Sequence, residues 1–245
     1  MTTTLRVDIW SDIACPWCYI GQARFAKGLD AFATANGVDR ADVHVTWHSY
    51  QLDPTLPARF DGSEVDYLVQ TKGMTRQQVE QMTGQVAAAA AGEGLPIDFD
   101  AVVPANSLRA HYLLKTIARH GGDVDKAEHA LFAAHFAQGQ VISDDEVLVR
   151  IGTECGISAE QARAGLDDDT IHAEVQGDFA TARSIGVSGV PFFVLGEKYA
   201  VSGAQPPELF TQALERTWSE LQPAKPQLIN LDSAPGEACG PEGCD

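Results

Sequence analysis

Basic residues are scarce in this chain: 17 Lys and Arg stand against 34 Asp and Glu, a formal charge of −17 at neutral pH. That balance argues against nucleic acid or an anionic membrane as partner, since both would repel it. Long apolar runs are missing as well. No stretch approaches the ~18 residues of a membrane span. The start, Met1-Thr2-Thr3-Thr4, has neither a basic region nor an apolar leader. Together these absences predict a cytoplasmic protein. Cysteine is sparse, five in 245 residues, too few for a secreted disulfide scaffold. His111, His120, His129 and His135 follow no metal-ligand spacing and are expected to have no catalytic role. Internal repeats are lacking, and Ala87–Ala91 is a helix-favouring run, not a linker. What remains is 44% hydrophobic, enough for a full core.

The chemistry concentrates in Asp12-Ile13-Ala14-Cys15-Pro16-Trp17-Cys18-Tyr19-Ile20-Gly21. An alternating run, Leu5 to Trp10, precedes it and reads as a half-buried strand. Behind it, Cys18, Phe25, Leu29 and Phe32 share one helical face. Two thiols therefore lie where a strand hands over to a helix. Pro16 suits the first helical position, because its missing N–H has no intrahelical use. Cys15 then falls at the N-cap, beside unpaired N–H groups and the positive end of the dipole, which favour the nucleophilic thiolate. Cys18 should face inward. An exposed attacker and a sheltered resolver one turn apart make a redox pair. The competing readings are half of a structural zinc site and two cysteines that merely pack.

Strand, helix, a turn at Asn36-Gly37, and a second strand over Val43–Tyr50 form a βαβ unit, so the first two strands should be parallel. His44 and His48 share one side of the second strand and are expected to be partly exposed. Leu52 to Arg59, with Pro54 and Pro57, reads as a connection. Helical patterning then runs for over a hundred residues. Thr75 with Gln78, Ser143 with Glu146 and Ser158 with Gln161 read as capping boxes, and Asn106 as a cap. Cys155 sits on an apolar stripe with Val147 and Ile151 and is a core thiol. A last long helix begins near Thr170, and the period changes after Gly186. Phe192–Leu195 and Lys198–Val201 become a hairpin, with Gly196-Glu197 expected in a type II′ turn. Pro206-Pro207 opens a final helix.

A hairpin cannot extend a purely parallel sheet, so the sheet must be mixed, with helices on both faces. The fold class is α/β: a thioredoxin fold with a mixed sheet, interrupted by an all-helical insertion domain. The expected boundaries are residues 1–58 and 169–222 for the two parts of the thioredoxin domain. Residues 59–168 would be the insertion and 223–245 a flexible tail.

Three segments carry a resemblance to a known family: Ser11-Asp12-Ile13-Ala14-Cys15-Pro16-Trp17-Cys18, Gly186-Val187-Ser188-Gly189-Val190-Pro191-Phe192-Phe193, and Val201-Ser202-Gly203-Ala204-Gln205. Together they resemble the DsbA family of thiol–disulfide oxidoreductases, and within it the cytoplasmic FrnE-like branch. The similarity in element order spans about residues 1–222. It implies that Cys15 is the nucleophilic thiol, Cys18 the resolving thiol and Pro191 a cis-proline opposite them. Val190 would offer its backbone to an extended substrate, and Pro16 and Trp17 would join Val190 and Pro191 in substrate contact. Trp17 stands where periplasmic relatives carry histidine, which implies a less acidic Cys15 and a less oxidising disulfide. The partners implied are protein or small-molecule thiols and disulfides, with glutathione a candidate. No cofactor and no metal is implied, and the sequence specifies no oligomeric state.

The tail ends in Cys239-Gly240-Pro241-Glu242-Gly243-Cys244-Asp245. FrnE-like proteins similarly carry a C-terminal CxxxxC, which implies a relay between Cys239/Cys244 and Cys15/Cys18. About 17 residues of linker give a reach of ~20–25 Å, enough to meet the dithiol of the same molecule. The tail's alternatives are four thiolates on zinc, or inert cysteines. For the whole chain, two other classes compete. One is a glutathione-dependent isomerase or transferase of the kappa or hydroxychromene carboxylate isomerase type, which usually places serine where Cys15 stands. The other is a chaperone-like binding module.

Overall fold

The computed structural model describes residues 4–222 together with the backbone of two short segments, Cys239–Gly240 and Gly243–Cys244. Strand β1 (Leu5–Ser11) is central, with β2 (Val43–Ser49) parallel on one side and β3 (Phe192–Leu195) antiparallel on the other. Strand β4 (Tyr199–Ser202) pairs antiparallel to β3, giving the order β2-β1-β3-β4. The sheet is mixed, as the βαβ unit and the hairpin require.

Helix α1 (Pro16–Asn36) joins β1 to β2 and ends where Gly37 adopts φ 60° and returns its N–H to the Ala33 carbonyl. Helix α9 (Pro207–Leu221) lies beside α1 on the same face of the sheet. Phe25, Phe193 and Phe210 meet there with ring centroids 4.6–5.6 Å apart. Burying each ring contributes about 2–3 kcal/mol. The helices pack this closely because Gly28 has no side chain: a Cβ there would lie 2.7 Å from Phe210 Cβ and from the Pro207 carbonyl.

Between β2 and the last helices come α2 (Glu64–Lys72), α3 (Arg76–Gly92), α4 (Leu108–Arg119), α5 (Val124–Phe136), α6 (Asp145–Glu154) and α7 (Ala159–Leu166). Helix α8 (Asp169–Ser184) returns the chain to the sheet, against Trp10 and Val187. The capping boxes at Thr75/Gln78 and Ser158/Gln161 are present. Ser143 is different. Asp144, one residue on, caps α6, its carboxylate accepting from the Glu146 and Val147 N–H groups, while the Ser143 hydroxyl donates to the Ala58 carbonyl. Asn106 does accept from the Leu108 N–H, although the capping position itself is Ser107. The hairpin turn also differs from expectation. Gly196 and Glu197 both have φ 57°, the sign pattern of a type I′ turn, which matches the right-handed twist of the strands. Cys155 is buried in the core, as expected.

A buried charge cluster fastens this layer to the sheet. His48 lies 2.8 Å from Asp8 and 2.9 Å from Asp178, and Lys115 reaches Asp178 at 2.6 Å. Burial pushes the Asp178 carboxyl up, but His48, Lys115 and the Ser49 N–H outweigh it and leave the group below its ordinary range. Of the two strand histidines, His44 is exposed; His48 is half-buried, stacked on Trp10 at 4.4 Å.

Candidate active site

β1 stops at Ser11, and four residues turn the chain into α1. The Cys15 N–H donates to the Asp12 carbonyl at 3.0 Å, closing that turn. Cys15 occupies the N-cap with extended backbone, φ −101° and ψ 111°, and its side chain makes no capping bond. Its sulfur is therefore free for other work. The Cys15 thiol points to the Val190 carbonyl, 3.7 Å away. Cys18 follows one turn later; both thiols are free.

Pro191 faces the dithiol across α1, and the Val190–Pro191 peptide bond is cis. Gly21 makes this approach possible, since a Cβ there would meet Pro191 Cγ at 2.7 Å. In this reduced form the Val190 carbonyl is engaged by Cys15 instead of standing free for a substrate strand.

The expected contrast between an exposed and a sheltered thiol needs correction. Cys15 is only 4% exposed and Cys18 only 1%. The Val190 segment and the turn itself cover Cys15 on the outside. What Cys15 does meet is a cavity of about 400 Å³, whose wall it shares with Asp12, Pro16 and Trp17. Trp17 and Leu52, 40% and 51% exposed, border that cavity at the surface.

The two sulfurs sit in different electrostatic surroundings. Burial pushes the Cys18 thiol well up, and the neighbouring Cys15 adds to it; the Asp12 backbone and the Ser11 hydroxyl pull partly the other way. A thiol held protonated behind its partner can resolve a mixed disulfide only after Cys15 is consumed. Beneath both lies Asp12, 1% exposed. It accepts from the Leu52 N–H at 2.7 Å and the Ala14 N–H at 3.2 Å, and its carboxylate is 3.5 Å from His111 Nε2. Burial pushes this carboxyl up; His111, Ser107 and the Leu52 N–H overcome it and hold the group below the usual range.

Two of the four scattered histidines thus come together at the site after all. His111 pairs with Asp12, and His135 lines the cavity. His120 instead bonds Gln161, and His129 stands edge-on to Tyr19. Burial lowers the His135 pKa to about 4, so its ring is neutral at physiological pH. Glu64 also lines the cavity. Its helix, α2, begins with a capping box of Ser63 and Asp66 that lies just past the proline-rich connection and was not among the sequence expectations. The spacing Ser63-x-x-Asp66 is the signal that could have found it.

The model of the DSBA-like thioredoxin domain matches residues 6–215. The chain belongs to that family. Its members are thiol–disulfide oxidoreductases, which accounts for a dithiol at the tip of α1. A probable DsbA oxidoreductase from Streptomyces coelicolor is 38% identical, with 98% of both chains covered and a TM-score of 0.79. The cytosolic disulfide reductase DsbM from Pseudomonas aeruginosa, solved with GSH, is 21% identical over 87% of this chain and 99% of its own. Its TM-score of 0.58 expresses a shared fold. The uncharacterized protein YwbO of Bacillus subtilis (strain 168) is 22% identical, covering 86% of this chain and 96% of the relative.

Cys15, Pro16, Trp17, Cys18, Val190 and Pro191 all lie around one end of α1. Cys239 and Cys244 face each other in the register of a two-residue antiparallel pair, β5 (Cys239–Gly240) with β6 (Gly243–Cys244). Their side chains and the linker 223–238 lie outside the described residues. Among the described residues no cluster of His, Cys, Asp and Glu could hold a metal ion, and no helix is long and apolar enough to cross a membrane.

Proposed function

We propose that this protein exchanges disulfides through Cys15 and Cys18, using protein or small-molecule thiols and disulfides as substrates. The observation that carries the reading is the placement of Cys15: at the α1 N-cap, uncommitted to capping, and on the wall of a cavity. In the reducing direction, the Cys15 thiolate attacks one sulfur of a substrate disulfide, forming a mixed disulfide and releasing a thiolate. Cys18 loses its proton and attacks Cys15, which frees the second substrate thiol and leaves Cys15–Cys18 oxidised. The enzyme dithiol gives two electrons and the substrate disulfide takes them. The Val190 backbone, once Cys15 has left its carbonyl to react, and the apolar Trp17 supply contacts for the substrate's main chain and side chain.

The same reading takes the cytoplasm as the compartment. It takes glutathione, present in the structure of the Pseudomonas reductase, as a candidate electron source. Membership of the FrnE-like branch goes with a second pair, Cys239/Cys244, that passes electrons to or from Cys15/Cys18. Their facing backbone positions favour formation of a small ring on oxidation. Residues 1–58 and 169–222 would form the thioredoxin unit, with 59–168 as an insertion that builds the far wall of the cavity.

Two variants test the central claim. Cys15→Ser should abolish turnover, and Cys18→Ser should accumulate mixed disulfides on Cys15, seen by intact mass. Full turnover in Cys15→Ser would remove the assignment. For the tail, Cys239→Ser/Cys244→Ser should slow steady-state recycling while single-turnover exchange is unchanged.

A further inference from the structure

The cavity beside Cys15 has an unfinished far wall. Glu64 faces it from the first turn of α2. Among the described residues no hydrogen bond or ion pair ties this carboxyl, and burial alone acts on it, raising its pKa to about 7. His135 lines the same cavity; it is 2% exposed, and its Nδ1 is buried without a hydrogen-bond partner. Such groups are uncommon in native proteins and usually mark a missing partner. The other charged groups on the wall are Asp12, Asp53 and Lys72. Asp12 is committed as described, and Asp53 is held by Thr55 and the Tyr67 hydroxyl. Lys72 is exposed. Leu56, Leu68, Met82, Val86 and Phe99 make up much of the remaining surface.

We propose that this cavity selects small disulfides and thiols bearing an ammonium group on a short apolar stem, with Glu64 as the countercharge and His135 Nδ1 as a second polar contact. The inference rests on the thiol–disulfide reading and names the substrate class of that site. A cation entering the cavity would give Glu64 the partner it lacks and restore the ionised form. An anionic disulfide would meet three carboxylates and a single lysine at the rim. The reaction balances as above: reduced enzyme and a symmetric disulfide give oxidised enzyme and two thiols.

The test uses the full-length reduced protein and three probes: cystamine, hydroxyethyl disulfide and dithiodipropionate, which are cationic, neutral and anionic. Second-order rates of Cys15–Cys18 oxidation are divided by the rates of the same probes with dithiothreitol, which removes intrinsic reactivity. Cystamine should exceed dithiodipropionate by about tenfold or more after this correction, one tenfold step being the scale of a single modest ion-pair gain. The measurement is made at high salt, so that the chain's overall charge is screened and only the cavity contributes. Glu64→Gln should erase most of the preference, and Glu64→Lys should invert it. The cystamine preference over hydroxyethyl disulfide should also grow between pH 6 and 8, since Cys15 is common to both probes. Over that range Asp12 and Asp53 stay ionised, His135 neutral and Tyr67 protonated.

A corrected ratio near one in the wild-type protein overturns the proposal. So does a ratio that Glu64→Gln leaves unchanged while all three probes still react. Failure of every probe to oxidise the Cys15–Cys18 pair would instead strike the oxidoreductase reading itself.

Discussion

Asp12 and Glu64 line the same cavity, yet burial ends differently for each. Asp12, on the thioredoxin side, is fully buried but surrounded by two backbone N–H groups, Ser107 and His111, and its carboxyl is held low. Glu64, on the helical side, is less deeply buried and has no such partners, and its carboxyl rises to about 7. Partners, more than depth, decide which form is stable. The contrast extends beyond the two residues. Asp178, near the sheet, is satisfied like Asp12, whereas Glu128 in α5 is buried with Oε2 unpartnered, its pKa raised to about 8. The buried carboxylates near the sheet are satisfied and those of the helical layer are not, although Ser11 Oγ on β1 and Gln22 Oε1 on α1 also lack partners.

The sharpest way to break this comparison is to unfinish the first wall. Asp12→Ala should cost about 3–5 kcal/mol, because it strands His111 and two N–H donors in the interior. Chemical denaturation checks this, and a loss below 1 kcal/mol would mean that the network carries little. A smaller effect is expected from Gly21→Ala, about 1–3 kcal/mol, since its methyl must displace Pro191. Faster alkylation of Cys15 should accompany that loss as Val190 moves away.

Elsewhere in the helical layer the response should be opposite in sense. Glu128→Gln should stabilise the protein by about 1–3 kcal/mol at pH 9 and hardly at all at pH 4. Its folded pKa of about 8 lies above the ordinary 4.5. The native state therefore keeps a proton that the unfolded chain has released, and stability falls as pH rises from 4.5 to 8. Thermal melts across that range test the sign. Asp12 and Asp178 work the other way: both are lowered, so their stabilisation is complete above the ordinary aspartate range and disappears as pH falls through their folded values. The smallest change belongs to the surface. Lys198→Ala, which removes an exposed partner of Glu220, should leave the denaturation midpoint essentially where it is, because solvent screens that pair.

Much of this arrangement is legible in the chain before folding. Pro16 locates the N-cap, and Gly37 the end of α1, because they act through local backbone rules; the half-buried strand expected from the β1 alternation is instead buried at six of its seven residues, because β1 is central in the sheet. The exposure of Cys15 was not legible. It depends on Val190, which lies 175 residues away in sequence and covers the sulfur only in three dimensions. The meeting of His111 and Asp12, and the place of His135 on the cavity wall, were not legible for the same reason: no spacing links these residues. Asp144 took the cap expected of Ser143 because a carboxylate one residue nearer the helix reaches two N–H groups, a competition that spacing alone does not rank. Glu197 at positive φ is a further case, since the twist of β3 and β4 overrides the residue's own preference.

Helix α1 belongs to two interiors at once. Cys18, Tyr19 and Ile20 pack among residues of α3 to α8, whereas Phe25, Leu29 and Phe32 pack under the sheet. Neither body can melt without stripping half of that rod of its neighbours. The molecule should therefore unfold in one concerted transition, and local loosening of either part would be transmitted along the rod to the pair of sulfurs at its tip.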